Sequence, residues 1–181
     1  MPCSQMWSAW RLPGELHAMS DLRLVEILRI LHAHGGEFIV VGGMAAVIGG
    51  APVVTRDVDV LRGRSTANVA RLLSALSDLD AIFRGDERRL RPNASHLTGP
   101  GHILLETRHG QLDLLGTIEE DTTYEDVLEQ SYRVDLGGFQ VQTLSLERLL
   151  VVKRKLNRPK DRLMVLQIEA TLAELRTKEG G

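Results

Sequence analysis

The chain has 181 residues, which is enough for one domain with a sizeable hydrophobic core and requires no second domain. Apolar residues make up 43% and charged residues 25% of it, a balance that excludes disordered and fibrous classes. The formal net charge of −2 gives no overall basic field of the kind that marks a nucleic-acid-binding protein. The single cysteine excludes an intramolecular disulfide and a cysteine-based metal cluster.

The chain shows periodic patterning only after about residue 19. We expect residues 1–18 to be a flexible or over-annotated leader, residues 19–176 to form the domain, and residues 177–181 to be a tail. No apolar run approaches the roughly 20 residues that span a bilayer, and the N-terminus lacks the pattern of a secretory signal. We therefore expect a cytoplasmic protein without a membrane partner.

Helical and strand patterns alternate in the first half of the chain. Apolar residues recur at helical spacing from Asp21 as far as Gly35, and an apolar run at residues 38–41 stops at Gly42 and Gly43. A strand, a glycine turn and a helix therefore follow one another. The predicted elements are helices over residues 21–34, 44–48 and 65–79 and strands over residues 38–41 and 55–61, with Ser65 as a helix cap.

The second half of the chain contains two predicted hairpins and two closing helices. Residues 85–101 are rich in charge, proline and glycine, which predicts an irregular surface loop. Thr122 and Glu125 have the spacing of a capping box at the start of a predicted helix that contains Val127 and Leu128. The predicted elements are a hairpin of residues 103–108 and 111–116 turning at His109 and Gly110, a hairpin of residues 132–143 turning at Gly137 and Gly138, a helix over residues 145–156, and a helix that begins at Pro159.

Asp57 and Asp59 lie on one face of a predicted strand, because successive strand side chains point to opposite faces. Two ionised carboxylates at this spacing repel, and a third nearby raises the cost unless a cation binds among them. Asp113 has the same setting between Leu112 and Leu114 and is a candidate third ligand. Hard oxygen ligands suit Mg²⁺, which also takes ligands from substrate phosphates. The pattern therefore predicts one or two Mg²⁺ ions and a nucleoside triphosphate (NTP).

Other polar residues add less to this prediction. The predicted turn of the first hairpin places Glu106 opposite Asp113 on the same face, so Glu106 is a further candidate carboxylate. An Asp-x-Asp pair by itself is weak evidence, because most such pairs lie on solvated strand faces or in turns. The six histidines are scattered without a metal-ligand spacing, and no Gly-x-Ser-x-Gly elbow indicates a hydrolase.

The glycine turn gives the carboxylates a specific context. Gly42 and Gly43 stand between an apolar strand and a helix, where bare backbone can approach a phosphate. Thirteen residues separate Gly43 from Asp57, and Asp113 follows on a later strand. This order of glycines, spacer and paired aspartates resembles the signature of nucleotidyltransferases of the DNA polymerase β superfamily. The resemblance implies that the glycines bind phosphate and that Asp113 is the third catalytic carboxylate.

A second motif lies near the C-terminus. Lys153, followed by the sequence from Arg158 to Asp161, is similar to the lysine and Arg-x-Lys-Asp motif of AbiEii-type toxin nucleotidyltransferases and their short relatives. The resemblance implies that Lys153 and Lys160 contact the triphosphate and that Asp161 tethers its helix to the core. Arg158 and also Arg56, next to the first aspartate, are additional candidates. A toxin or antitoxin partner is implied by the same likeness.

Two residues depart from the pattern of these relatives. Met44 stands where many of them carry Ser or Thr after the glycines, and Met164 stands where they often carry a second Asp. Met44 favours an alternative in which the fold is kept without turnover. Such a protein would act as a regulatory or antitoxin-like partner or as an NTP-binding module.

The expected fold is α/β (α+β), a minimal nucleotidyltransferase fold with a short mixed β-sheet flanked by helices and a C-terminal helix pair. The expected activity is Mg²⁺-dependent transfer of a nucleoside monophosphate from an NTP to an acceptor hydroxyl. Asp57, Asp59 and Asp113 are the expected metal ligands and catalytic residues. The acceptor is open at this point among RNA such as tRNA, a protein side chain and a small hydroxylated molecule.

Overall fold

A computed structural model describes residues 20–179. The predicted leader, residues 1–18, and the last two residues of the predicted tail lie outside the described residues. Within the described part, no helix combines the length and the apolar composition that crossing a bilayer requires.

The elements follow the predicted order, with a short strand at residues 82–83, a short helix at residues 94–98 and a 3₁₀ turn as additions. The helices are α1 (Ser20–Ala33), α2 (Gly42–Ile48), α3 (Thr66–Asp78), α4 (Ala94–Thr98), α5 (Tyr124–Val127), α6 (Leu146–Leu156) and α7 (Pro159–Glu179). The strands are β1 (Phe38–Val41), β2 (Asp57–Arg62), β3 (Ile82–Phe83), β4 (Ile103–Thr107), β5 (Gly110–Leu115), β6 (Ser131–Asp135) and β7 (Gln140–Leu144). A 3₁₀ turn, Leu128–Gln130, follows α5.

The strands form one mixed sheet in the order β3-β4-β5-β2-β1-β7-β6. The pairs β2·β5 and β1·β7 are parallel, and the other neighbouring pairs are antiparallel. β2 therefore lies at the centre, between β1 and β5. The predicted mixed sheet, its flanking helices and the C-terminal pair α6 and α7 are confirmed.

The hydrophobic core lies on one face of the central strands. Val58 and Val60 of β2 are fully buried and belong to the same cluster as Leu28 of α1 and Leu72 of α3. The helices α1 and α3 therefore cover this face. The predicted cap of α3 is present, because Ser65 Oγ accepts a hydrogen bond from the Asn68 N–H at 3.2 Å.

The segment predicted as an irregular loop, residues 85–101, contains the helix α4, so this prediction was wrong in part. Asn93 caps the helix, since its side chain accepts from the His96 N–H while His96 Nδ1 accepts from the Asn93 N–H. This reciprocal pair is a capping box built from residue types that the usual Ser-x-x-Glu pattern does not include. The capping box of α5 also lies one residue later than predicted, at Thr123 and Asp126.

The turn of the first hairpin is one residue earlier than predicted. Thr107 pairs with Gly110, so Arg108 and His109 form the turn. Thr107 holds it, because its hydroxyl donates to the Gly110 carbonyl at 2.8 Å and accepts from the His109 N–H at 3.1 Å. The shift changes which residue faces Asp113.

Candidate active site

Three carboxylates come together on the sheet face opposite α1 and α3. The parallel pairing of β2 and β5 puts Asp59 beside Asp113. One carboxylate oxygen from each of Asp57, Asp59 and Asp113 lies within 4.8 Å of the others, and all three residues are half-buried. The carboxylates predicted from the sequence are thus neighbours in space.

Apolar residues between the carboxylates fix this arrangement. Val58 and Val60 of β2 and Leu112 and Leu114 of β5 are fully buried. Because side chains alternate along a strand, burying these four residues turns the carboxylates to the opposite face. A one-residue slip of either strand would bury carboxylates in the core, so the hydrophobic pattern specifies the register.

The donors of this cluster fit Mg²⁺, because carboxylate oxygens are hard ligands and the ion completes its shell with water or phosphate oxygens. Thr55 is a supporting residue that the sequence analysis did not identify. Its hydroxyl lies 2.9 Å from Asp57 Oδ1 and 3.1 Å from the Asp57 carbonyl, and donates to this residue. A hydrogen bond of this kind orients a ligating carboxylate.

Gly42 and Gly43 lie directly against the carboxylate strand. Gly42 begins α2 with a φ of +64°, and a Cβ built on it would lie 1.9 Å from Asp59 Oδ2. A Cβ on Gly43 would lie 2.6 Å from Thr55 Oγ1. Gly42 therefore requires glycine for its backbone conformation and for its close approach to Asp59, and Gly43 for its close approach to Thr55.

Arg84 is the most important residue near the site that sequence reasoning missed. It follows β3, and its Nη2 donates a hydrogen bond to Asp113 Oδ1 and another to the Leu105 carbonyl at 3.1 Å. Burial raises the pKa of Asp113, the hydrogen bond from Arg84 opposes that rise, and the charge of Asp57 adds to it. Nothing in the sequence distinguishes Arg84 from the other arginines of the same segment.

Lys153, the exposed Arg158 and the buried Asp161 form an ion-pair group between α6 and α7. Asp161 is 2% exposed and accepts from Lys153 Nζ at 3.1 Å and from Arg158 Nε at 2.6 Å. Burial by itself raises the pKa of Asp161, but the hydrogen bonds from Arg158 and Lys153 outweigh burial and hold the pKa below its ordinary value. Asp161 therefore joins the two helices through the lysine of α6.

These groups share a cleft of about 460 Å³. The three carboxylates, Gly42 and Gly43 line this cleft together with Lys153 and Arg158. Arg56 is exposed at the same cleft. Lys160 lies in the first turn of α7, and its side chain is outside the described part of the structure.

The predicted position of Glu106 was wrong. The observed register pairs Glu106 with Gln111 and places Leu104 opposite Asp113. Glu106 is exposed and does not belong to the group of three carboxylates. The error follows from the one-residue shift of the turn, which is held by Thr107 and not by a glycine inside the turn.

A second ion pair includes Glu119, which also lines the cleft. Arg148 of α6 binds Glu119, with Nη2 to Oε2 at 2.5 Å, and the Thr122 hydroxyl donates to the same oxygen at 3.1 Å. The hydrogen bond from Arg148 lowers the pKa of Glu119, which stays ionised at neutral pH. This pair fastens the β5–α5 connection to the N-terminal part of α6.

A family of known proteins matches this chain in sequence. Residues 20–178 match the sequence model of a family described as nucleotidyl transferase of unknown function (DUF2204). A provisionally assigned nucleotidyltransferase from Thermotoga maritima superposes with a TM-score of 0.51 at 16% identity, covering 85% of this chain and 92% of that one. One from H. pylori gives a TM-score of 0.41 at 15% identity, covering 73% of this chain and 56% of that one. No curated protein matches the sequence.

Proposed function

We propose that this chain, which belongs to the family of nucleotidyl transferases of unknown function, transfers a nucleoside monophosphate from an Mg²⁺-bound NTP to an acceptor hydroxyl. The observation that carries the proposal is the group formed by Asp57, Asp59 and Asp113, packed against the bare backbone of Gly42. Three carboxylates within 4.8 Å repel one another strongly, and a divalent cation relieves that repulsion.

In the proposed reaction, the acceptor oxygen forms a bond to the α-phosphorus. The bond from the α-phosphorus to the α,β-bridging oxygen breaks, and pyrophosphate leaves with that electron pair. Asp113 orients the attacking hydroxyl, and the proton of that hydroxyl passes to this carboxylate. Mg²⁺ bound by Asp57, Asp59 and Asp113 would neutralise charge that develops on the phosphate oxygens.

The basic residues of the cleft have a role in binding the triphosphate. An ammonium group has three donors, and Lys153 gives one to Asp161, so two remain for phosphate oxygens. Asp161 fixes the position of Lys153 at the edge of the cleft and so acts as a positioning residue. Lys160 adds positive charge in the same helix turn, and Gly42 and Gly43 let phosphate approach the backbone.

The acceptor belongs to the proposal only as a hydroxyl compound. The motif of Lys153 and Arg158 to Asp161 supports an AbiEii-like role with a toxin or antitoxin partner, and tRNA, protein and small-molecule acceptors fit the same chemistry. Met44, which departs from those relatives, is 4% exposed and packs in the core. Its side chain therefore fills space on the core side of α2.

Calorimetric titration with each of the four NTPs, with and without Mg²⁺, tests the proposal. We expect Mg²⁺-dependent binding of at least one NTP, and loss of that binding in Asp57→Asn/Asp59→Asn, because two of the three metal ligands lose their charge. Glu106→Gln is the matched control, since it removes an exposed carboxylate from the same sheet face outside the cluster.

The results of this titration distinguish the proposed site from its alternatives. No binding by the wild-type protein, or equal binding by wild type and the double variant, would contradict the proposed site. Binding without release of pyrophosphate in the presence of RNA and protein extracts would select the alternative of an NTP-binding module.

A further inference from the structure

Arg84 makes an ion pair inside the candidate metal site. Its Nη2 donates to Asp113 Oδ1, and the two side chains are 26% and 14% exposed. Both partners are therefore shielded from water, so the pair is stronger than a typical surface ion pair. A protein cation already occupies one oxygen of the third carboxylate.

The hold of Arg84 on Asp113 is only partial. The same Nη2 also donates to the Leu105 carbonyl at 3.1 Å, so the contact to Asp113 uses one nitrogen and not the two-pronged fork of the strongest arginine–carboxylate pairs. Arg84 Nε is buried without a hydrogen-bond partner in the described structure. The segment itself is anchored, because the Arg84 N–H donates to the Leu104 carbonyl at 2.9 Å.

We propose that Arg84 is a positioning residue that holds Asp113 in the metal-free protein and competes with the divalent cation for this carboxylate. Free Mg²⁺ then binds weakly, and the metal enters together with the triphosphate, whose oxygens supply further ligands. This inference rests on the proposed function, because it concerns the same metal site.

The charge of Arg84 decides whether its removal strengthens or weakens metal binding. Asp57, Asp59 and Asp113 together carry three negative charges when ionised, and Arg84 offsets one of them. A guanidinium and a divalent cation on one carboxylate repel each other, so each weakens the binding of the other. If Arg84 served only to orient Asp113 for the metal, its removal would weaken metal binding. The two roles thus predict opposite changes.

Titration of the purified protein with Mn²⁺ alone, followed by electron paramagnetic resonance of the free ion, tests the inference. We expect Arg84→Gln to bind Mn²⁺ more tightly than wild type, on the order of tenfold, from the loss of one charge-assisted hydrogen bond. Arg84→Lys keeps the positive charge and should restore weak binding. Arg91→Gln, which removes an exposed pair with Asp80, is the matched control and should match wild type.

The role of Asp113 is tested in the same assay. Adding Asp113→Asn to Arg84→Gln should abolish the gain in Mn²⁺ affinity, because that gain comes from the carboxylate that Arg84 no longer binds. If Arg84→Gln does not fold, the titration is repeated with Arg84→Met, which keeps an unbranched side chain without the charge. Unchanged or weaker Mn²⁺ binding in the variant without the guanidinium would overturn the inference, while leaving the proposed function intact. Absence of metal binding in every variant, even with NTP, would overturn both.

Discussion

At the residue scale, the site depends on how closely backbone and carboxylates pack. Gly42 has a positive φ, and its Cα hydrogen faces Asp59, where a Cβ would overlap Oδ2 at 1.9 Å. Gly50 also has a positive φ, of +88°, but a Cβ there would meet nothing within 4 Å. Adding a Cβ at Gly50 therefore costs only the strain in φ, whereas adding one at Gly42 costs the same strain and a clash with Asp59.

Gly42→Ala should lower the free energy of unfolding by about 3 kcal/mol, because it adds a clash to the unfavourable φ. Gly50→Ala should cost only about 1 kcal/mol, since strain in φ is its main effect. Urea denaturation of both variants measures the difference. Equal losses of unfolding free energy in the two variants would show that Asp59 can move away from the added Cβ at little cost.

Residues of the site differ in how well the sequence predicts them. Asp57 and Asp59 are predictable because alternation with buried valines marks their strand face. Arg84 is not, because its contact with Asp113 depends on the pairing of β3 with β4, and a strand of two residues carries no periodicity. The position of Glu106 was wrong for a related reason, since a threonine side chain set the turn.

At the element scale, Asp161 joins α6 to α7. The predicted ends of these helices are confirmed: Ser145 caps α6 and Pro159 opens α7. Both are local signals that sequence can supply. The burial of Asp161 between Lys153 and Arg158 is a tertiary contact, and the resemblance to known motifs implied only that Asp161 tethers its helix to the core.

Asp161→Asn should lower the free energy of unfolding by about 3 kcal/mol at pH 7, because it leaves the buried Lys153 without its carboxylate. The pKa of Asp161 is lower in the folded state than its ordinary value of 3.8, so its stabilisation is present above that value. It is lost as the pH falls through the folded-state pKa. The difference between wild type and variant should therefore shrink in strong acid.

Urea denaturation at pH 7 and at several values below pH 4 measures this change. Asp80→Asn is the control, because its pair with Arg91 is exposed and should contribute little. A difference between wild type and Asp161→Asn that stays constant down to the lowest pH would contradict the assigned ion pair.

At the scale of the whole molecule, the order of the strands creates the site. The chain brings β2 and β5 together as parallel neighbours although α3, β3, α4 and β4 lie between them in sequence. Local patterns predicted the strands but not this pairing. Asp113 was expected near Asp57 and Asp59 because it has the same strand setting and because the glycine and aspartate spacing resembles known nucleotidyltransferases.

The same sheet order explains the shape of the cleft. β1 ends at Val41 beside β2, directly before Gly42, and Lys153 of α6 and Arg158, which precedes α7, line the same cleft as the carboxylates. Acidic groups that suit a metal and basic groups that suit phosphate therefore face one space. This division of charge is what transfer of a nucleotide requires.

The most direct test of this account is to follow the fate of the α-phosphate. The purified protein is incubated with Mg²⁺, RNA and protein extracts, and each NTP labelled either at the α- or at the γ-phosphate. We expect the α-label to become attached to an acceptor while pyrophosphate is released, and Asp57→Asn/Asp59→Asn to abolish both. Attachment of the γ-label, or no dependence on these two carboxylates, would contradict nucleotidyl transfer at this site.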